Sequence, residues 1–325
     1  MKLLITGGAG YIGSVMTAQL LEAGHEVTVF DNLSKGHIQA VPTVARFVEG
    51  NLLNEALLNQ VLTMGFDGVL HFAALSLVGE SVAQPERYYR NNVCGTLNLL
   101  EAMRDARVSR LVFSSTAAVY GEPEEIPILE TAVPRPTNPY GGSKLAIDQM
   151  IGFGVAAHGL AVVSLRYFNV AGASGPLGED HHPETHLIPL VLSVAAGQRP
   201  EVQIYGTDYP TPDGTAIRDY IHVEDLARAH MLALESVQAG EHRIYNLGNG
   251  KGFSVGEVIE TARKVTGRPI NAVPAPRRTG DPPILVASSQ RIRDELGWIP
   301  QKPDLATMIG DAWKWLQAHP HGYDQ

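Results

Sequence analysis

The chain has 325 residues, of which 44% are hydrophobic and 18% are charged. This composition is typical of a globular protein and argues against disorder or a coiled coil. The length exceeds what one hydrophobic core usually organises, so we expect two domains or one domain with a large lobe. The formal charge is −9, from 34 acidic and 25 basic residues, which argues against a nucleic-acid partner.

The sequence also suggests where the protein resides. No apolar run approaches the ~20 residues that cross a bilayer, so no membrane partner is expected. The apolar run at the N-terminus is too short for the hydrophobic region of a signal peptide. The single cysteine, Cys94, can form neither an internal disulfide nor a cysteine metal site. We therefore expect the protein in the cytoplasm.

The first half of the chain alternates short β-branched runs with longer amphipathic stretches. Apolar runs predict strands at 2–6, 26–30, 46–49, 68–72, 111–114 and 161–166. Helical patterns occupy 11–22, 55–62, 85–104 and 139–157. Continuously apolar strands between helices predict a doubly wound parallel sheet, a Rossmann-type α/β fold with helices on both faces.

The composition of the sequence changes after about residue 171, where loops rich in Gly, Pro, His and Asp begin. Helices are predicted at 187–196, 224–237, 255–266, 289–296 and 305–317. We assign residues 1–170 to a dinucleotide-binding Rossmann domain and residues 171–325 to a smaller α/β ligand lobe. The boundary is approximate, and strands of the second lobe can return to the first sheet.

A glycine-rich turn, Gly7-Gly-Ala-Gly10-Tyr-Ile-Gly13, follows the first strand and opens the first helix. Two of its glycines allow a sharp turn and close approach to a pyrophosphate, and the third allows helix and strand to pack. The helix N-terminus then offers free N–H groups to the phosphates. A purely structural glycine loop is the alternative interpretation.

Asp31 ends the second strand, 18 residues after Gly13. An acid here can accept hydrogen bonds from the 2′ and 3′ hydroxyls of a ribose and would repel a 2′-phosphate, which favours NAD over NADP. The alternative is that Asp31 only ends a strand.

Tyr140 and Lys144 lie four residues apart at the start of a predicted helix, so they share one face. A phenol with a pKa near ~10 becomes a base near neutral pH if an ammonium and an oxidised nicotinamide ring favour the phenolate. Thr116 follows the fifth strand, where ligands of such sheets bind, and could hold the substrate hydroxyl. Capping of the strand end is the alternative role for Thr116.

These motifs together resemble the extended short-chain dehydrogenase/reductase superfamily. The motifs that show this resemblance are TGGAGYIG at 6–13, HFAA at 71–74, NNVCGT at 91–96 and the Tyr140–Lys144 pair. RYFNVAG at 166–172, DGTAIRDYIHV at 213–223 and YNLGN at 245–249 narrow the resemblance to the bacterial UDP-glucose 4-epimerase family. The likeness runs from Met1 to Gly322.

The resemblance implies roles for particular residues. Tyr140, Lys144 and Thr116 would be catalytic. NAD would contact Gly7, Gly10, Tyr11, Ile12, Gly13, Asp31, Asn32, Asn51, Leu52, Phe72, Ala73, Ala74, Asn91, Ser114, Tyr140, Lys144 and Phe168. The UDP-sugar would contact Thr116, Tyr140, Asn169, His186, Leu187, Arg218, Arg278, Asp281 and Leu285. Two arginines suit a diphosphate, although Arg218 could instead pair with Asp219 or Glu224.

Three positions depart from the best-known pattern of the family. Asn51 replaces an Asp near the adenine and Ser76 replaces a Lys near the cofactor, which could loosen NAD. His186 stands where some relatives have Asn. His181, His182 and His186 could suggest a metal, but we interpret them as solvated loop histidines and expect no metal site.

The resemblance implies inversion at carbon 4 of a UDP-hexose through a 4-keto sugar, interconverting UDP-galactose and UDP-glucose. A dehydratase or decarboxylase on the same fold is the nearest rival, but dehydratases carry an Asp-Glu pair where this chain has Ala117 and Ala118. A non-catalytic NAD sensor would not need Tyr140 with Lys144. Leu285 is of intermediate size, so turnover of N-acetylated UDP-sugars is conceivable. A homodimer contacting through 85–104 and 139–157 is expected.

Overall fold

The structure is a computed structural model, and it describes residues 1–278 and 281–323. The strands, in chain order, are β1 (Lys2–Thr6), β2 (Glu26–Asp31), β3 (Arg46–Glu49), β4 (Gly68–His71), β5 (Arg110–Thr116), β6 (Ala161–Tyr167), β7 (Asn169–Ala171), β8 (Val202–Tyr205), β9 (Ile217–Arg218), β10 (Tyr220–His222), β11 (His242–Leu247), β12 (Phe253–Ser254), β13 (Ala272–Ala275) and β14 (Ile284–Leu285).

The α-helices, in chain order, are α1 (Tyr11–Glu22), α2 (Glu55–Leu62), α3 (Val78–Ala83), α4 (Pro85–Tyr88), α5 (Gly95–Asp105), α6 (Pro139–His158), α7 (Leu187–Ala195), α8 (Val223–Ser236), α9 (Val255–Thr266), α10 (Gln290–Leu296) and α11 (Leu305–Ala318). Short 3₁₀ turns lie at Ile38–Ala40 and Ala117–Val119.

Seven parallel strands form the main sheet, in the order β3-β2-β1-β4-β5-β6-β11. The strand order reverses beside β1, and helices cover both faces. Strands in such a sheet are buried on both sides, and four of the five β1 residues are indeed buried. The predicted doubly wound Rossmann fold is confirmed.

Two apolar layers cover the faces of the main sheet. Residues of α1 and α8 pack on one face, and residues of α2, α5 and α6 pack on the other. A third apolar cluster joins α7, α9 and α11 in the C-terminal part of the chain. Small two- and three-stranded sheets accompany this cluster.

The C-terminal part of the chain also returns to the main sheet. β11 pairs in parallel with β6, from His242 opposite Val162 to Leu247 opposite Tyr167. Helix α8, which precedes β11, packs against α1. The division of the chain near residue 170 stays a prediction, and the main sheet draws one strand from beyond it.

The helix predicted over 85–104 is wrong as a single regular helix. The structure has α4, then a π-helical stretch at Tyr89–Cys94, then α5. Asn92 lies buried in this stretch, and its side-chain amide holds both the N–H and the carbonyl of Leu75. Such π segments occur most often at functional sites. The sequence also gave no indication of α3.

Among the residues that the structure describes, no helix is both long enough and apolar enough to cross a membrane.

His71 ends β4 and is buried between two hydroxyls. Thr6 Oγ1 lies 2.6 Å from Nδ1, and Thr96 Oγ1 lies 2.8 Å from Nε2. Since Thr96 donates its own proton to the Asn92 carbonyl, Nε2–H is the donor and the ring is neutral. Burial, with a smaller effect from Lys144, lowers the pKa of His71 to about 3.

This shift predicts acid sensitivity. Because the folded pKa lies below the unfolded value near ~6.5, His71 contributes stability that is present above that pH and lost as the pH falls. We expect the free energy of unfolding to fall by about 1.4 kcal/mol per pH unit from this group between roughly pH 6 and 4. Denaturant titrations of wild type and His71→Gln should differ by this slope. The exposed control His158→Gln should match wild type, and a slope retained in His71→Gln would contradict the assignment.

Candidate active site

The glycine turn connects β1 to α1 and leaves no room for a side chain at Gly7 or Gly13. Gly7 has φ +77°, and a Cβ there would lie 2.5 Å from the backbone nitrogen of Ala73. Gly10 is the N-cap of α1 and has no side chain to satisfy the first N–H groups. Those N–H groups have no acceptor within the helix and carry the positive end of its dipole. The turn therefore fits a pyrophosphate, as the sequence predicted.

The side chain of Tyr11 points away from this turn. Its hydroxyl donates to the Gly172 carbonyl at 2.7 Å, and burial raises its pKa well above the usual value. Of the predicted cofactor residues on α1, Tyr11 can therefore offer its backbone N–H, as Ile12 and Gly13 can.

Asp31 stands at the carboxyl end of β2, beside the turn. One carboxylate oxygen accepts from Ala9 N at 3.0 Å and the other from Leu33 N at 2.9 Å. Burial raises the pKa of Asp31, and the backbone N–H groups counteract it. Each oxygen keeps a lone pair for a ribose hydroxyl. The carboxylate thus fits NAD and also ties the glycine turn to β2.

The remaining predicted cofactor residues differ in burial. Asn32 and Asn51 are exposed and accept only from backbone N–H groups two residues on. Leu52 is buried against Gly95. Phe72 packs with its ring 4.8 Å from that of His230.

The segment after β4 faces the glycine turn. Phe72 N and Ala73 N both donate to the Thr6 carbonyl, and Ala74 continues the loop. Asn91 donates to Asn92 Oδ1 at 2.9 Å. Sequence reasoning missed Asn92, whose Nδ2 also donates to Ser143 on α6 at 3.1 Å. The doubled asparagine of the NNVCGT motif was the feature of the sequence that could have pointed to Asn92.

Helix α6 carries the Tyr140–Lys144 pair. Pro139 begins the helix, and Asn138 caps it by accepting from Gly141 N at 2.9 Å. The Lys144 ammonium is buried, donates to the Ser114 carbonyl at 2.7 Å, and lies 4.8 Å from the Phe113 ring centre. Burial lowers its pKa to about 7, although Asp148 one turn along opposes the shift.

The phenol of Tyr140 meets Thr116. Burial raises the pKa of Tyr140, and a hydrogen bond with Thr116 lowers it in part. Thr116 also accepts from Ala118 N at 3.2 Å, so it caps the turn as well as meeting the tyrosine. The ammonium of Lys144 was expected to favour the phenolate. In the protein alone, however, burial determines the pKa of Tyr140, and it raises that pKa.

A buried polar network behind Lys144 was not predicted. Asp148 accepts from Arg166 Nη2 at 2.9 Å and from Ser115 Oγ at 3.2 Å. Arg166 donates onward to the hydroxyl of Tyr120 at 3.1 Å. The spacing of Asp148, four residues after Lys144, was the available signal.

The predicted substrate residues gather on short strands. Asn169 on β7 donates to the Asp219 carbonyl at 2.9 Å, and Phe168 N donates to the Leu247 carbonyl at 3.3 Å. Arg218 on β9 pairs with Asp281, Nη2 to Oδ1 2.5 Å. Leu285 on β14 lies opposite Arg218.

Arg218 therefore does not form the alternative pairs. The carboxylate of Asp219 accepts backbone N–H groups of Asn249, Gly250 and Ala287, and Glu224 pairs with Lys302 at 2.7 Å. Sequence reasoning gave Asp219 no role of its own.

Arg278 is exposed, and its guanidinium lies 4.0 Å from the Tyr205 ring centre. Its carbonyl accepts from Asp281 N at 3.2 Å. A second cation therefore lies near the Arg218–Asp281 pair, as a diphosphate site requires.

In the loop before α7, the structure differs from the interpretation of its three histidines as solvated side chains. His182 is exposed, but His181 lies 3.2 Å from Glu179 and His186 lies 2.8 Å from the same carboxylate. Burial lowers the pKa of His181, but hydrogen bonds to Glu179 and Glu184 outweigh it and raise the pKa to about 9. Two of the three histidines are thus supported by carboxylates. His186 and Leu187 open α7.

The glycine turn, Asp31 and the Tyr140–Lys144 pair define a dinucleotide-binding α/β protein with a short-chain dehydrogenase type of site. The model of the NAD dependent epimerase/dehydratase family matches residues 3–248. The chain belongs to this family, which confirms the resemblance.

Known proteins resemble the chain over its full length. A UDP-glucose 4-epimerase of Streptomyces lividans is 58% identical, covering 99% of this chain and 98% of its own. A crystal structure of a UDP-glucose 4-epimerase superposes with a TM-score of 0.97 at 50% identity and covers 100% of both chains. The UDP-glucose 4-epimerase of Bifidobacterium longum, solved with NAD+ and UDP, has a TM-score of 0.93 at 39% identity, over 99% of this chain and 100% of that one.

Gly10 allows a test of the cofactor site that spares the fold. In the described part of the chain, a Cβ at Gly10 would meet within 4 Å only the Gly7 carbonyl, at 3.4 Å. We expect Gly10→Ala to keep the thermal stability of wild type. Its methyl group would enter the space of the pyrophosphate, so NAD affinity should fall at least about tenfold, or 1.4 kcal/mol.

Calorimetric titration with NAD measures this loss. Gly310→Ala on α11 is the matched control, because its Cβ would make one ordinary contact with Val265 at 3.8 Å. Equal NAD affinity of the two variants would place the pyrophosphate elsewhere.

Proposed function

We propose that this protein inverts the configuration at carbon 4 of UDP-hexoses with NAD as cofactor, interconverting UDP-galactose and UDP-glucose through a 4-keto sugar. The observation that carries the proposal is the buried Lys144 of α6, which is fastened to the end of β5 two residues before Thr116 and shares a helix face with Tyr140, in the sheet whose first strand leads into the glycine turn. The full-length relatives named UDP-glucose 4-epimerase support it.

The chain's own groups have separable tasks. Tyr140 takes the proton of the 4-hydroxyl and returns it, and Thr116 holds the phenol and that hydroxyl together. Lys144 fixes the end of β5 against α6 and places an ammonium near the cofactor ribose. NAD, when bound, supplies a reversible two-electron oxidant at carbon 4 and a positively charged ring that favours the phenolate.

The substrate side suits a tight nucleotide anchor with a freer sugar. Arg218 and Arg278 offer cationic groups to the diphosphate, and Asp281 can accept from ribose hydroxyls. Asn169, His186, Leu187 and Leu285 complete the proposed sugar side. Inversion requires the keto sugar to present its opposite face while the anchor holds.

Neither rival is favoured by the structure. Elimination of water from the keto sugar needs an acid and a base after Thr116, and the turn there consists of Ala117, Ala118 and Val119. A sensor of NAD gains nothing from a buried lysine whose burial is costly.

A single assay tests the function. Purified protein is mixed with UDP-galactose without added NAD, and the sugar signals are followed by proton NMR. We expect UDP-glucose to accumulate to a steady ratio, if needed after NAD is added, because Asn51 and Ser76 could loosen the cofactor. The same assay with UDP-N-acetylglucosamine measures how much room Leu285 leaves.

Tyr140→Phe should reduce turnover about 10²–10⁴-fold, the usual contribution of acid–base catalysis. UDP affinity should stay near that of wild type because the phenol does not contact the nucleotide in this proposal. Tyr205→Phe is the matched control, since it keeps the ring beside Arg278. Unchanged turnover in Tyr140→Phe would remove the tyrosine from the proton transfer.

We also propose that the protein is a homodimer. Exposed apolar side chains occur on each of the predicted contact elements: Phe153 on α6 is 77% exposed, Tyr89 on the π stretch 44% and Leu97 on α5 42%. Pro85, Tyr89 and Val93 line a hollow on the same elements. Contact between two such surfaces would cover these side chains.

Phe153→Glu should therefore convert dimers to monomers at micromolar concentration, because a carboxylate would be buried in an apolar contact. Light scattering on a gel-filtration column gives the mass. Ile299→Glu is the control, at a site 70% exposed and outside this surface. A dimer that survives Phe153→Glu would exclude this surface.

The cytoplasm is the proposed location. Cys94 is an exposed free thiol and the sole cysteine of the chain. A protein without disulfides is suited to a reducing compartment.

A further inference from the structure

Four metal-ligating side chains converge in the loop before α7, and the proposed function uses none of them as a group. They are Glu179, His181, Glu184 and His186, here called the loop cluster. One ligand atom from each lies within 4.8 Å of all the others. The side chains of Glu179 and Glu184 are 8% and 19% exposed, so the cluster is not a set of solvated surface acids.

The spacing of these atoms is close to that of a coordination shell. His186 Nδ1 lies 2.8 Å from Glu179 Oε1 and 3.0 Å from Glu184 Oε1, and His181 Nδ1 lies 3.2 Å from Glu179 Oε1 and 3.7 Å from Glu184 Oε2. Bonds of about 2.0–2.1 Å in a tetrahedron place neighbouring ligand atoms about 3.3 Å apart. The four nitrogen–oxygen distances surround this value, and all four ligand groups lie within 4.8 Å of one another, so the side chains would close in on a bound ion.

The hydrogen bonding of the cluster is incomplete by itself. His181 Nδ1 is inaccessible to solvent and, among the described residues, lacks a partner in good hydrogen-bond geometry, although carboxylate oxygens lie 3.2 Å away on Glu179 and 3.7 Å away on Glu184. The two carboxylates raise the pKa values of His181 and His186, so the rings carry protons that a metal ion would displace. Without those protons the four side chains carry a charge of −2, which a divalent cation cancels.

The loop cluster lies between the cofactor side of the protein and the first turn of α7. The loop that carries it touches the cofactor side through Lys35, which donates to the His182 carbonyl at 2.7 Å. Asp180 lies 3.5 Å from His37 and accepts from Tyr323 N at 2.9 Å. At its other end the loop enters α7 through His186.

We propose that Glu179, His181, Glu184 and His186 form a structural site for one divalent cation, with Zn²⁺ as the best match to two imidazole nitrogens and two carboxylate oxygens. The ion would fix the loop between the cofactor side and the first turn of α7. It would take no part in proton or hydride transfer at carbon 4, although it would hold His186, which the proposed function places on the sugar side. Metal binding can be measured without turnover, so its failure and the failure of the proposed function are distinguishable.

Zinc binding by the holoprotein tests the proposal. Protein stripped with a chelator is titrated with Zn²⁺ at pH 8, where the ion must displace protons from the imidazoles, so proton release accompanies binding. We expect one ion per chain and a rise in the melting temperature. His181→Ala and Glu179→Gln should weaken binding by more than the 10–100-fold that outer-shell partners are worth. His182→Ala, one position away and exposed, is the matched control.

Cobalt provides a second measurement that does not depend on the variants folding. Tetrahedral Co²⁺ absorbs visible light far more strongly than octahedral Co²⁺, so wild type loaded with Co²⁺ should show intense bands that Zn²⁺ removes. If wild type binds neither ion stoichiometrically, or His181→Ala and His182→Ala bind Zn²⁺ equally, the cluster is an arrangement of ion pairs alone and the proposal is overturned.

Discussion

The hydrogen bond from the Lys144 ammonium to the Ser114 carbonyl organises the catalytic side of this molecule. It fastens α6 to the carboxyl end of β5. Thr116 stands two residues beyond Ser114, and Tyr140 stands one helical turn before Lys144. The distance between phenol and threonine is therefore set by this contact together with the helix geometry. Asp148 is buried behind the lysine, favours its charged form and is itself paired with Arg166.

Burial moves the two groups of the pair in opposite directions. The pKa of Lys144 falls to about 7 and that of Tyr140 rises. Both changes favour the uncharged forms, so the polypeptide alone does not hold a ready base. A positive charge brought by the cofactor would favour the phenolate of Tyr140 and the uncharged amine of Lys144. Proton transfer would then depend on an occupied cofactor site, which protects a free sugar nucleotide from unproductive chemistry.

The parts of the fold set by local sequence were predictable, and the parts set by distant contacts were not. Apolar runs predicted β1 to β6, and the helix predicted at 255–266 is α9, whose start is capped by the local Ser254-x-x-Glu257 pattern. Strand β11 was not predicted from the sequence because its first half is only partly buried at the edge of the sheet. The π stretch depends on Asn92 reaching Leu75, a contact that no periodicity reveals.

The same distinction holds for the site. The glycines and the Tyr140–Lys144 spacing are local patterns that follow from backbone and helix geometry, so their roles could be predicted from the sequence. The partners of Lys144 and Arg218 come from other elements, and their identity follows only from the folded chain. The histidines before α7 were misjudged because Glu179 and Glu184 turn toward them through the loop's conformation.

Asp219 gives the substrate side its rigidity. Its buried carboxylate gathers three backbone N–H groups from two separate loops, and its carbonyl holds Asn169. Burial raises the pKa of Asp219, and those N–H groups lower it, as expected for a carboxylate that organises backbone. Arg218 is the preceding residue, so the cation that we propose for the nucleotide anchor adjoins this buried carboxylate. The proposed sugar-facing residues at the start of α7 instead follow a loop joined to the rest by side chains. In the proposed mechanism, a fixed anchor beside a separately held sugar wall lets the keto sugar turn over without leaving.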